Sequence, residues 1–202
     1  MHWIPRQWWA GQDAFIIGGG SSLRGFDWNR LRGRLTVGCN DAYELGSSVC
    51  SVVVFGDMKW WNAHKSQLKE FPNPIFTNQP SLHASGPDWI LTMRREPQGS
   101  HRDALGWGGN TGCLAVNVAL LLGALRVFLL GVDCHAPSKD ETNWHENNGG
   151  KPTAASYERF KKGFGKIATD LPKVFPGRSI INLGPDSRLE SFSRMDLDEV
   201  LK

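Results

Sequence analysis

Residues 13–23 hold the stretch that most limits what this chain can become. Phe15, Ile16 and Ile17 form a short apolar run that stops at Gly18, Gly19 and Gly20, and Ser21-Ser22-Leu23 follows. Such a run, ended by glycine, reads as a buried parallel strand closing in a tight turn. Glycine takes positive φ and lets backbone approach a ligand closely. N–H groups at a helix start beyond the turn would face an anion, most naturally a phosphate. The same residues could also make a strand-to-helix turn that binds nothing.

Two familiar phosphate-binding patterns are absent. Gly18-x-Gly20-x-x-Leu23 lacks the third glycine of the dinucleotide fingerprint. The next apolar run, 35–39, ends in Asn40, where a dinucleotide-binding fold would put an acidic residue for the ribose. No Gly-Lys-Ser/Thr follows the glycines, which argues against a P-loop.

The rest of the chain alternates. Runs at 13–17, 35–39, 49–55, 74–77, 126–130 and 179–183 read as strands, with a further strand-like piece at 89–93. Helical patterns occupy 58–71, 111–122, 157–171 and 195–201, with a short helix or turn at 26–31. The Trp-rich lead-in, 1–12, is expected to pack across the sheet edge. This order predicts one α/β domain over 1–202, a Rossmann-like, mainly parallel sheet flanked by helices. Residues 78–109 are rich in Pro, Gly, Ser and charge, and a long weakly periodic segment of that kind reads as a polar lid insertion.

Composition narrows the class further. A chain of 202 residues, 40% hydrophobic and 21% charged, suits a soluble globular domain. Cys39, Cys50, Cys113 and Cys134 show no C-x-x-C spacing and sit in apolar segments, which reads as reduced core thiols in a cytoplasmic protein. No signal peptide opens the sequence, and the apolar stretch 115–132 is interrupted by Asn117, Gly123 and Arg126, so no membrane span is expected. A net charge of +3 permits nucleic acid as a partner without requiring it, and an oligomer is compatible with the sequence. Nine tryptophans, seven of them in polar or Gly-rich segments, suit core closure or stacking on sugars and bases.

In open parallel sheets, ligands bind outside the carboxyl ends of the strands. Four runs end in polar groups there: Gly19-Gly20-Ser21-Ser22, Asn40-Asp41, Gly56-Asp57, and Asp133 with His135. The helix at 111–122 opens on Asn110 and Thr111 at the same rim. Helix capping is the plainer explanation of Asn40 and Asp57, and loop anchoring that of Asp133.

Ile17-Gly-Gly-Gly-Ser-Ser-Leu23, Gly38-Cys-Asn-Asp41, Val54-Phe-Gly-Asp57, Asn110-Thr-Gly-Cys113 and Leu129-Leu-Gly-Val-Asp133 resemble, in order, blocks of the bacterial CMP-sialic acid sialyltransferases. They resemble equally phage and prophage proteins related to that fold and to the archaeal MptE-like pterin pyrophosphokinases. The resemblance covers about residues 13–192. It implies that Gly19, Gly20 and Ser22 meet a donor's phosphate and ribose, and that Asn40, Asp57 and Thr111 hold the nucleotide. His135 falls where the family places a phosphate-binding tyrosine, and His145, in Thr142-Asn-Trp-His-Glu146, matches the general base. Gly19 and Asp57 depart from the family, which has asparagine at both, so the donor need not be CMP-sialic acid.

Sugar transfer needs an acceptor hydroxyl deprotonated as it attacks and a leaving phosphate stabilised. Histidine titrates near working pH. The one Asp-x-Asp pattern, Asp196-Leu-Asp198, opens the terminal helix and reads as helix-end charge. A metal-independent route with no cofactor beyond the nucleotide-sugar is therefore expected. Zinc on Cys134, His135 and His145 would match no standard spacing. The leading expectation is a glycosyltransferase-like enzyme, in a host cytoplasm if phage-encoded, acting on a modified DNA base or a glycan. The alternatives are a Mg²⁺-dependent pyrophosphokinase using Asp57 and Asp133 on a small hydroxymethyl compound, and a nucleotide-binding module without catalysis.

Overall fold

A computed structural model describes residues 2–136, 142–145 and 152–201. The elements, in chain order, are β1 (Asp13–Ile17), β2 (Leu35–Cys39), β3 (Val52–Phe55), α1 (Met58–Lys69), β4 (Ile75–Thr77), α2 (Pro80–Ser85), β5 (Leu91–Thr92), β6 (Arg95–Glu96), β7 (Leu105–Gly106), α3 (Thr111–Leu122), β8 (Arg126–Leu130), α4 (Ala154–Val174), β9 (Ser179–Asn182), β10 (Ser193–Arg194) and α5 (Leu197–Val200). Eight strands form one sheet in the order β10-β9-β8-β1-β2-β3-β4-β5, and every neighbouring pair is parallel. The chain is thus α/β, with a parallel sheet carrying helices on its faces.

The strand order explains where a ligand can sit. From β1 the chain steps outward to β5, then returns through α3 to lay β8 on the other side of β1. The order reverses between β1 and β8, and a crevice opens at such a switch point, at the strands' carboxyl ends. Gly18–Gly20 and Gly131–Asp133 lie on its two sides.

Packing follows from the apolar runs. β1 and β8 are buried on both faces, so Ala14 and Ile16 join the core under α3, while Phe15 and Ile17 face the core on the α1 side. Phe15 stacks on Phe128 of β8 at 5.1 Å between ring centroids. Each such large side chain contributes about 1.5–3 kcal/mol on burial. In α3 all residues but Gly112 are buried, and Gly123, with φ +106°, ends the helix in the left-handed conformation.

Several boundaries differ from the sequence expectation. The third strand is shorter than 49–55, because Val49 and Cys50 donate to the carbonyl of Gly46 and belong to a turn. α4 begins three residues before Tyr157, since Thr153 caps it by accepting from the N–H of Ser156 at 3.2 Å. It also passes through Pro172 to reach Val174. The Trp-rich lead-in does pack at the β5 edge, where the N–H of Trp3 donates to Thr92 and its ring meets Phe76.

Residues 78–109 carry more order than their composition suggests. They hold α2, the edge strand β5 and the small parallel pair β6–β7, and they bury Ile90, Met93, Ala104 and Leu105. The apolar residues are too sparse for a periodic signal, but Leu82, Ile90, Met93, Ala104 and Leu105 are all buried. Arg95 fixes the segment to the sheet by donating to Asn78 and to the Gly56 carbonyl, and it lies over the Trp107 ring.

The four cysteines are free and buried, and burial pushes the thiols of Cys50 and Cys134 up to about 12. Among the described residues no helix is long and apolar enough to cross a membrane.

Candidate active site

At the switch point lies a cavity of about 550 Å³. Gly19, Gly20, Asn40, Asp57 and Asn110 line it, as do Thr111, Asp133, His135 and His145. Ser21 and Ser22, in the 3₁₀ turn beyond the glycines, are not part of its lining.

The glycine turn works differently from the expectation. None of Gly18, Gly19 and Gly20 has positive φ. What requires glycine is crowding: a Cβ on Gly18 would overlap the carbonyl of Gly131, and one on Gly20 would overlap the Asp133 carboxylate. Asp133 is buried and accepts from Ser22 twice, from its N–H at 2.9 Å and from its hydroxyl at 2.6 Å. The N–H that would have faced a phosphate therefore already meets a carboxylate of the protein. Only Gly19 of the three has room for a Cβ, which would make ordinary contact 3.5 Å from Nε2 of His145.

Each remaining rim residue has a definite local task. Asp57 caps α1, accepting from the N–H groups of Lys59 and Trp60. Asn110 caps α3 through the N–H of Cys113 at 2.9 Å. Asn40 is held with φ +50°, and its side-chain oxygen accepts from the Thr111 hydroxyl at 3.3 Å. Cys134, at φ +54°, is the other non-glycine residue in that region among the described residues, and it too lines the cavity. Backbone held there costs of order 1–3 kcal/mol per residue and gathers at functional sites.

His145 is the most organised group in the cavity. Its Nδ1 lies 2.9 Å from Oδ2 of Asp41, and both side chains are about nine-tenths buried. The other carboxylate oxygen accepts from the Trp60 indole at 2.5 Å, and Nε2 of His64 stands 3.6 Å from it. Burial alone would raise the Asp41 pKa, but hydrogen bonds from His145 and Trp60 and the two imidazoles outweigh it, so the group is held below the ordinary range. The segment carrying His145 is pinned to the glycine turn: Asn143 bridges to Gly20, and the N–H and indole of Trp144 donate to Gly19 and Gly18. Trp144 is spent in this way and packs on Trp28, so it is not an open stacking wall for a sugar.

His135 donates through Nε2 to the carbonyl of Asp186 at 2.8 Å. Its other nitrogen can donate to an anion only in the imidazolium form. Tyr157, which carries no motif of its own in the sequence, lines the same cavity from α4 with a buried hydroxyl that has no hydrogen-bond partner among the described residues. Burial first, then the charges of Asp133 and Cys134, raise its pKa, keeping it a donor. Lys59 and Arg159 supply positive charge on the α1 and α4 sides.

Among the described residues no three His, Cys, Asp or Glu side chains converge as metal ligands. Asp57 and Asp133, the carboxylates expected to hold Mg²⁺ in a pyrophosphokinase, are committed to helix capping and to Ser22. Asp196 caps α5 as its charge pattern suggested.

No protein-family model matches the chain, and no curated protein matches it in sequence. Solved structures do share its fold, and they are glycosyltransferases. The MAf glycosyltransferase from Magnetospirillum magneticum AMB-1 superposes with a TM-score of 0.64 at 14% identity over 92% of this chain. This chain spans 34% of that protein's length. The sialyltransferase CstII from Campylobacter jejuni, solved in complex with the substrate analogue CMP-3FNeuAc, gives a TM-score of 0.51 at 16% identity, covering 91% of this chain and 85% of that one. At these identities the likeness is one of fold.

Proposed function

We propose that the protein transfers a sugar from a nucleotide-activated donor to a hydroxyl acceptor, with His145 as general base and no metal in the step. One observation carries the reading: Nδ1 of His145 is held by Asp41, which sets the ring so that Nε2 lies beside Gly19 in the switch-point cavity. A neutral imidazole so held presents a lone pair at Nε2. The acceptor oxygen bonds the sugar's anomeric carbon as its proton passes to Nε2, and the bond from that carbon to the donor phosphate breaks. The departing negative charge is met by the N-terminus of α3 and the hydroxyl of Tyr157, with Lys59, Arg159 and His135 in reach of the same cavity. CstII, solved with a CMP-linked analogue, supports a nucleotide-sugar as the donor class.

The reading is tested by thermal shift with CMP-, UDP-, GDP- and ADP-linked sugars beside ATP. One sugar nucleotide at a hundred times its Kd is expected to raise Tm by about 5–10 °C, with no chelator effect. No shift from any of them overturns it. A shift without turnover on any acceptor instead favours a binding module.

In this reading residues 78–109, which bring Trp107 and Gly109 to the cavity, act as its cover. Tryptic cleavage after the exposed Arg94 and Arg102 is expected in the free protein and to slow when the donor is added. Equal cleavage in both states makes the segment a fixed wall.

A further inference from the structure

The cavity holds a chain of polar groups longer than a general base requires. Tyr43 lies 3.0 Å from Nδ1 of His64, Nε2 of His64 faces one oxygen of Asp41 at 3.6 Å, and the other oxygen of Asp41 meets Nδ1 of His145 at 2.9 Å. Trp60 closes the set. Its ring stacks on His64 with centroids 4.5 Å apart and planes 12° from parallel, and its indole N–H donates to Asp41. Three elements meet here: the 3₁₀ turn Asn40–Leu45 after β2, helix α1, and the segment 142–145.

From this arrangement we propose that Asp41 is the positioning residue for His145, and that Trp60 and His64 exist to hold Asp41 in its orientation. The proposal rests on the assignment of His145 as base. A carboxylate against Nδ1 does two things. It fixes the ring's rotation, and it selects the tautomer with the proton on Nδ1, leaving Nε2 to take the acceptor's proton. After the transfer Asp41 stays ionised and faces the imidazolium, and the proton remains on His145 Nε2.

The second histidine has its own logic. Burial first, and then the charges of Glu44 and Asp41, push the Tyr43 phenol up to about 12, so it remains a hydrogen-bond donor. The Tyr43 hydroxyl holds Nδ1 of His64 at 3.0 Å, which leaves Nε2 of His64 on the side of Asp41. Asp41 thus meets His145 through one oxygen and Trp60 through the other, with His64 beside it, and a carboxylate held at both oxygens does not rotate away from its partner. The charged groups facing this cluster are His64 from α1, His145 from the segment 142–145, Glu44 beside Tyr43 on the turn, and Lys59 on the cavity side of α1.

The experiment has two arms. In the first, proton–nitrogen NMR of histidine-labelled protein reads the tautomer of His145, assigned by its loss in His145→Gln. Wild type is expected to carry its proton on Nδ1, and Asp41→Asn is expected to lose that preference. In the second, pH–rate profiles are compared once an acceptor is known. Asp41→Asn is expected to lower kcat at least about tenfold, with KM for the donor little changed. A carboxylate favours the charged imidazole, so its removal lowers the His145 pKa, and the acid limb of the profile moves to lower pH. A merely structural residue would lower the rate with the limb in place. Where Asp41→Asn does not fold, Trp60→Phe keeps an aromatic ring over His64 and removes the indole N–H, and a smaller change of the same sign is expected. A His145 with its proton on Nε2 in wild type, or an unmoved limb, overturns the proposal. The first arm needs no substrate, so it stands even if no sugar nucleotide binds, whereas failure of donor binding alone sinks the functional reading.

Discussion

His145→Ala is expected to lower sugar transfer by about 10²–10⁴-fold, the usual share of a general base, while donor affinity stays near wild type. The two quantities separate because a base acts in the transition state and hardly in the bound ground state. Calorimetry with the donor and single-turnover rates with the acceptor measure them independently. The variant also takes one donor from Asp41, a buried carboxylate that keeps Trp60 and His64, so a loss of about 1–3 kcal/mol in stability accompanies the change. Normal turnover in a folded His145→Ala variant removes the assignment. His135, or an aspartate such as Asp57, is then the next base to examine.

Gly20→Val is expected to weaken nucleotide binding at least tenfold, about 1.4 kcal/mol, and to cost stability as well. The reason is the neighbour that fills the space. Beyond the overlap with Asp133, a Cβ on Gly20 would sit 2.7 Å from the Gly131 carbonyl oxygen. Valine must displace the carboxylate from Ser22 and part the ends of β1 and β8. Overpacking and a lost charged hydrogen bond together cost about 2–4 kcal/mol, which for a chain of this size lowers Tm by about 4–16 °C. Gly19→Ala is the contrast, since its Cβ would make only ordinary contact with His145 and Asn143, and it is expected to fold normally. Wild-type donor affinity in folded Gly20→Val would show that the turn has no part in the site.

The fold was largely legible because its central elements are written in long apolar runs. β1, β2, β8 and α3 have the bounds read from sequence, each ended by glycine or by a polar strand-end residue. The rim residues were legible for the same reason, since parallel strands deliver their carboxyl ends to one edge. Asp41 was named only as Asn40's neighbour, and His64 was passed over. Nothing in a sequence pairs positions 41, 64 and 145, because the pairing is made by a 3₁₀ turn, a helix and a loop that meet only in space. By apolar periodicity Tyr157 opens the helix, and Thr153, three residues before Ser156, is the capping signal that puts it a turn inside. The residues 137–141 and 146–151, which flank the His145 segment, lie outside the described residues.

α3 is buried along its whole length, and its first turn is a wall of the cavity. That end of the helix therefore cannot shift without repacking the sheet's main core. α4, by contrast, meets the cavity through Tyr157 and Arg159 and leaves much of its surface in solvent. The cavity is a mould with one half cast into the foundations and the other half bolted on. In the proposed reading the phosphate lies between the two halves, met by the start of α3 on the cast side and by Tyr157 and Arg159 on the bolted one. A lineage built on this chain can then retune the α4 side by surface substitution, while changing the α3 side means rebuilding the protein from its centre.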